Sequence, residues 1–200
     1  MEIKKTMNIS YPDVYEMEDL EERRLYINSV IDEEIVDTIV YHIMRYNRED
    51  KGIDVSKRTP IKLYINSGGG DTYNGYALIS TIQSSITPIY TINQGMCASM
   101  AFLIFIASDK RFSMKNSTFL MHEGMNGGFD NTSKMRERIE FETGELERLT
   151  KNFVLENTKI TNELYDEKYR AEWYMLPTMA KEQGIVDYIV GVDCTIDEIL

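Results

Sequence analysis

Apolar and polar positions along this chain follow two alternating rhythms. Residues 25–30 and 61–65 are short apolar-rich runs with β-branched and aromatic side chains, which predicts strands. Between them Ile35, Val36, Ile39, Val40, Ile43 and Met44 recur at helical spacing, with Asp32 ahead of them as an N-cap. The stretch 48–60 is polar and charged, and with Gly52 and Pro60 it predicts a connecting loop. The strand at 61–65 runs into Asn66-Ser67-Gly68-Gly69-Gly70-Asp71 and then a helical pattern through Ala77, Leu78 and Ile82. After Pro88 the order repeats: a strand at 89–93, then Gly95-Met96-Cys97-Ala98-Ser99, then an apolar helix. A strand at 118–122 leads into a glycine turn at 124–128. Beyond it a long helical pattern carries Met135, Ile139, Leu146, Leu149 and Phe153 on one side, with Gly144 marking a bend. Helical pieces at 163–169 and 177–183, the latter closed by Gly184, precede a last strand at 185–190.

Strands alternating with helices imply an α/β fold with a mostly parallel sheet, because parallel neighbours need long crossovers. Two hundred residues at 42% hydrophobic content suit one core. The expected organisation is an irregular arm over residues 1–20, where Pro12 and several acids show little periodicity, and a single domain over 21–200.

Charge narrows the function classes. The formal net charge is −11, and Lys4-Lys5 and Arg23-Arg24 are short pairs among acids, so a nucleic-acid partner is not expected. Cys97 and Cys194 have no companions at metal-ligand spacing, which argues against a zinc site or a disulfide framework and fits a reducing cytoplasmic setting. Met1 to Lys5 has basic residues with no apolar run behind it, unlike a signal peptide, and the apolar stretch 100–107 is far too short to span a bilayer.

Chemistry at neutral pH has few places to reside. The sequence holds two histidines. His42, beside the apolar stripe of the first helix, reads as structural. His122 lies where the strand 118–122 ends in a glycine-containing loop, a position where alternating folds meet ligands and where a structural role is equally open. Ser99 stands between the Gly95 turn and an apolar helix, which suits either a helix N-cap or a hydroxyl presented at a helix N-terminus. Gly68-Gly69-Gly70 is either a plain turn or a run of N–H groups able to approach an oxyanion. A phosphate cradle is disfavoured, because Asp71 and Thr72 follow and no GxxxxGK[ST] pattern exists.

Together these segments resemble the proteolytic subunit of the Clp protease family, over residues 25–190. Ile65-Asn66-Ser67-Gly68-Gly69-Gly70 is similar to the family's INSPGG turn, Gly95-Met96-Cys97-Ala98-Ser99-Met100 to its GxAASM box, and Leu120-Met121-His122-Glu123 to its MIHQ box. The resemblance implies a crotonase-like α/β fold of stacked ββα units with a long protruding helix-strand handle. It also implies serine endopeptidase activity on short or unfolded peptides through an acyl-enzyme. Carried over residue by residue, Ser99 is the nucleophile, His122 the base, the amides of Gly70 and Met100 the oxyanion hole, and Gly127 and Gly128 the strand that binds substrate. The segment 174–187 is similar to the family's FMSAEEAxEYGLVD and places Glu172 where the family has an aspartate, with Asp187 and Asp166 as fallback acids. The resemblance further implies no cofactor, a homo-oligomeric heptameric ring around a chamber, and a separate AAA+ ATPase for folded substrates. Arg170-Ala171 stands where the family has an Asp-Arg pair associated with contact between two rings, so a single ring and a stacked tetradecamer are both open. Gly68 replaces the family's proline. Two alternatives remain: an inactive Clp-like structural subunit, and a crotonase-type acyl-CoA enzyme sharing the oxyanion-hole logic.

Overall fold

The computed structural model describes residues 17–124 and 131–200. Residues 17–21 are helical; the rest of the expected arm, and Gly127 and Gly128, lie outside the described residues.

The first strand, β1 (Arg24–Ile27), leads to α1 (Glu33–Glu49). The Asp32 carboxylate caps this helix by accepting from the Ile35 amide at 3.0 Å. Val36, Ile39, Ile43 and Tyr46 are its buried face, as the spacing predicts. β2 (Ile61–Ser67), α2 (Thr72–Gln83), β3 (Ile89–Ala98) and α3 (Met100–Ile106) follow. Next come β4 (Lys110–Met114) and β5 (Thr118–Met121). A long helical column then runs through α4 (Thr132–Phe141), a π-helical turn (Glu142–Leu146) and α5 (Glu147–Asn157). The chain closes with α6 (Asn162–Lys168), β6 (Trp173–Met175), α7 (Pro177–Glu182) and β7 (Tyr188–Val190).

The sheet runs β1-β2-β3-β4-β7 with every neighbour parallel. β3 forks: Tyr90 to Asn93 pair with β4, whereas Met96 to Ala98 pair with β5, which in turn pairs antiparallel with β6. A register shift accompanies the fork. Ile65 faces Asn93 but Ser67 faces Cys97, so β3 carries extra residues there, a bulge that redirects the strand. The buried Asn93 amide donates to the Thr118 carbonyl at 2.8 Å and holds the redirected segment against β5.

Two differences from the sequence reading follow from this fork. The segment 95–98 is strand rather than turn, because β5 supplies its ladder partners. β4 and β6 were not anticipated, since Lys-Arg-Phe-Ser-Met and Trp-Tyr-Met lack a long apolar run; their pairing partners, not their composition, make them strands. Gly144, where a bend was expected, lies within the π-helical turn.

Both faces of the sheet are covered. The larger core contains the whole of α3, every residue of which is buried, packed with Leu63, Ile65, Leu78, Phe119 and Val154. A smaller cluster of Tyr64, Ile92, Phe112, Val190 and Ile199 covers the opposite face. The long helical column is different. α4 buries none of its residues, and Ile139 and Leu149 remain about half exposed, so its apolar stripe meets the body mainly near Phe153 and Val154.

Candidate active site

Parallel strands β2, β3 and β5 lie side by side and end at one edge of the sheet: Ser67 faces Cys97, and Ala98 faces Leu120. The next residues of each strand therefore converge. They are the glycine run 68–70, Ser99 and His122, as expected where parallel strands open toward a ligand.

Ser99 has φ 54° and ψ −122°, one of two non-glycine residues with positive φ among the described residues. Such backbone costs of order 1–3 kcal/mol and persists only where its surroundings hold it. They do: the Ser99 amide donates to the Leu120 carbonyl at 2.9 Å, and its carbonyl accepts from the Phe102 and Leu103 amides at 3.0 and 3.3 Å. Ser99 thus occupies the N-cap position by its backbone, but its hydroxyl makes no capping hydrogen bond. The side chain is half-buried and turned to a cleft.

The glycines press against this turn. A Cβ on Gly69 would stand 2.7 Å from the Ser99 Cβ and 2.8 Å from the Ala98 carbonyl oxygen, and Gly69 has φ 101°. A Cβ on Gly70 would stand 2.2 Å from the Ile31 carbonyl oxygen. Gly70 is bridged to Ile31 through the Gly69 carbonyl and the Asp71 amide, at 3.0 and 2.8 Å, which leaves the Gly70 N–H off that ladder. Met100 is the first residue of α3, where an N–H has no helical acceptor.

A cleft of about 380 Å³ joins these groups; Gly70, Ser99, Met100 and His122 all line it. Glu172 does not. The β5–β6 register ends where Met121 faces Trp173, and His122 and Glu172 are the next residues beyond that pair. The Glu172 carboxylate, however, is exposed and accepts from the Tyr174 hydroxyl at 2.9 Å. The two fallback acids lie elsewhere. Asp187 accepts from the Arg111 amide at 2.8 Å, and Asp166 pairs with Lys151, neither of them in the cleft wall. His42 is half-buried in α1 between Tyr41 and Tyr46 and is likewise absent from the wall.

The far wall of the cleft was not anticipated from sequence. It is built by the π-helical turn and α5, with buried Glu142 paired to Arg138 at 2.8 Å, and by Tyr165 and Tyr169, whose rings stack at 4.9 Å. Burial, then the Tyr169, Tyr76 and Glu147 charges, hold the Tyr165 phenol well above its ordinary range. Tyr169 is pushed up to about 12, first by burial and then by Glu147. Both phenols are therefore neutral at physiological pH. The spacing of four between the two tyrosines placed them on one helix face, but nothing local indicated that this face would meet α5.

The family model described as Clp protease matches residues 8–193. The chain belongs to the Clp protease family. It is 26% identical over 192 residues to the ATP-dependent Clp protease proteolytic subunit 2 of Treponema pallidum (strain Nichols), covering 94% of this chain and 92% of that protein. It is 29% identical over 183 residues to the ATP-dependent Clp protease proteolytic subunit of Dehalococcoides mccartyi (strain CBDB1), covering 89% and 86%. The observed α/β architecture with its largely parallel sheet agrees with that membership. No helix among the described residues is long and apolar enough to cross a membrane.

Proposed function

We propose that this Clp-family chain is a serine endopeptidase in which the Ser99 hydroxyl attacks a peptide carbonyl. The observation that carries this reading is the strained Ser99 backbone, which withholds the hydroxyl from capping and turns it into a cleft shared with His122 and the glycine run. His122 accepts the serine proton, and the N–H groups of Gly70 and Met100 bind the oxyanion as it forms. The acyl-enzyme ester forms as the C–N bond breaks, with His122 returning the proton to the leaving amine. Water, deprotonated by the same histidine, then releases the product. Glu172 orients the imidazole once its carboxylate leaves Tyr174, a turn supported by the place of both residues just beyond the Met121–Trp173 pair.

Labelling with a fluorophosphonate probe tests this. Modification is expected at Ser99 and is lost in Ser99→Ala and His122→Ala variants that remain folded. An unlabelled wild-type chain, or label persisting in Ser99→Ala, refutes it.

Crotonase-like stacking of ββα units, with the long helical column as the handle, is the finer fold reading, supported by the fork of β3 and the emergence of α4 from the body. The apolar side chains Ile139, Phe141 and Leu149, each about half exposed in the single chain, support burial of the column between copies in a heptameric ring. The relatives' names call them ATP-dependent, while this sequence has no GxxxxGK[ST] pattern, so folded substrates require a separate AAA+ ATPase. The purified chain is expected to cleave short or unfolded peptides only; rapid degradation of a stable folded protein by it alone contradicts this. The second reading, a structural subunit with little catalysis, is favoured by the Glu172–Tyr174 bond, and the same labelling separates the two.

A further inference from the structure

Asn93 is fully buried in β3, and a buried amide side chain is stable only where its donor and acceptor groups are engaged. Both are. Its Oδ1 accepts from the Gly95 amide at 3.1 Å, and its Nδ2 donates to the Thr118 carbonyl at 2.8 Å. Asn93 is the last residue of β3 to pair with β4, and Thr118 is the first residue of β5 to pair with β3 beyond the bulge. One side chain thus ties the bend of β3 to the start of β5. Asn66 acts on the same bend from β2, its Oδ1 accepting from the Met96 amide at 3.2 Å. Across the bulge, side-chain oxygens take N–H groups that a regular ladder would pair with backbone.

We infer that Asn93 is a positioning residue for the Ser99 nucleophile, its two hydrogen bonds fixing the segment of β3 that carries Ser99 against the strand that leads to His122. The inference rests on the peptidase reading above and adds a residue that sets its geometry. Beyond the bend, β3 and β5 are joined by the pairs Met96–Thr118, Cys97–Phe119 and Ala98–Leu120. The bond nearest the site is that of the Ser99 amide to the Leu120 carbonyl, at 2.9 Å, and it helps to hold Ser99 at positive φ. Backbone strain of that kind lasts only while the surroundings enforce it, so loosening β5 at the Asn93 end weakens the hold on Ser99 at the other. A shift of about 1 Å between reacting groups costs about 100-fold in rate. Asn93 does not line the cleft; it acts through β3 and β5.

Asn93→Ser separates the tie to β5 from the local turn. Ser67 shows what a serine does at such a place: its hydroxyl accepts from the Gly69 amide, two residues on, at 3.1 Å, as Asn93 accepts from Gly95. The substitution keeps that bond but leaves a side chain one bond too short for the Thr118 carbonyl. Thr91→Val is the control, because it removes a buried hydroxyl that donates to the Phe105 carbonyl at 2.8 Å from the same strand, ahead of the bend. The full-length proteins are labelled with a fluorophosphonate over a range of probe concentrations, which splits the rate into a maximal value and a half-saturating concentration. Asn93→Ser is expected to lower the maximal rate about tenfold with the half-saturating concentration unchanged, while Thr91→Val leaves both within about twofold. A role in stability alone would reduce the labelled fraction and spare the maximal rate of the folded molecules. Asn93→Leu, similar in volume and without hydrogen-bonding groups, is expected to fall at least as far as Asn93→Ser. A maximal rate within about twofold of the wild type in both Asn93 variants, or an equal fall in Thr91→Val, overturns the inference. Amide hydrogen exchange gives a readout that needs no activity. Asn93→Ser is expected to speed exchange in peptides covering 96–99 by about tenfold or more relative to those covering 110–114, and equal changes in the two overturn the inference. If the wild type does not label, the peptidase reading fails, and the exchange result alone decides whether Asn93 holds Ser99 in place.

Discussion

Adjacent glycines in the run 68–70 are expected to respond oppositely to the same added methyl group. At Gly69 the backbone has φ 101°, and a Cβ would fall about 0.7 Å short of ordinary contact with the Ser99 Cβ and nearly as far short with the Ala98 carbonyl. Neither neighbour can yield easily. Ala98 is held in the β3–β5 ladder, and Ser99 is fixed by the Leu120 carbonyl and the first turn of α3. Positive φ and overpacking together predict a loss of about 2–4 kcal/mol for Gly69→Ala. Any relief must push Ser99 away from the glycine amides by roughly half an ångström. A misplacement of about 1 Å costs about 100-fold in rate, so about tenfold is expected here. Gly68→Ala is the control, since nothing lies within 4 Å of its Cβ and its φ is not left-handed. It is expected to be neutral or to stabilise by about 0.4–1 kcal/mol through the unfolded chain. Urea unfolding at fixed protein concentration gives the stabilities, and the rate of fluorophosphonate labelling gives the geometry at Ser99. Equal stabilities and equal labelling rates for the two variants would refute the claim that close approach at Gly69 positions the nucleophile.

Ser99→Gly should abolish labelling yet raise stability above that of Ser99→Ala by about 1–3 kcal/mol, because glycine releases the strain at φ 54°; equal stability of the two variants in urea unfolding would show that the backbone there is unstrained. Glu172→Gln should lower the labelling rate about tenfold or more if the carboxylate orients His122, whereas an unchanged rate assigns that task elsewhere. Arg23, the other strained residue, with φ 58°, forks onto buried Asp50 at 2.7 and 2.9 Å, and Asp50→Asn should cost about 1–3 kcal/mol, since the guanidinium keeps only Glu49 at 3.5 Å and the Thr59 carbonyl. The Arg23 hydrogen bond holds the Asp50 carboxyl below its ordinary 3.8, so this contribution is present above that value and lost as pH falls through the depressed folded one. Acid titration of stability should therefore be shallower below about pH 4 in Asp50→Asn than in the wild type, and identical acid limbs would refute the assignment.

Periodicity and turn chemistry determined a good deal about this protein. The buried face of α1, its Asp32 cap, the parallel strands and the irregularity at Gly144 are local consequences of side-chain spacing, capping groups and missing side chains. The three short boxes around Gly68, Ser99 and His122 are local too, because each strand end carries its own residues wherever the sheet is built. Only tertiary structure decided what those ends do together. Ser99 reads as an ordinary cap from its neighbours, and it is the β5 ladder and the abutting Gly69 that force its backbone to positive φ and its hydroxyl into the cleft. Composition did not reveal β4 and β6, whose existence depends on partners distant in the chain. Nor did it reveal the acidic, phenol-lined far wall, since Glu147 and Tyr165 belong to separate helices whose polar residues look solvated until packing places them over one cavity. The rule behind both halves is that hydrogen bonding and periodicity act over a few residues, whereas strain, burial and charge proximity are set by contacts between segments that the chain order keeps apart.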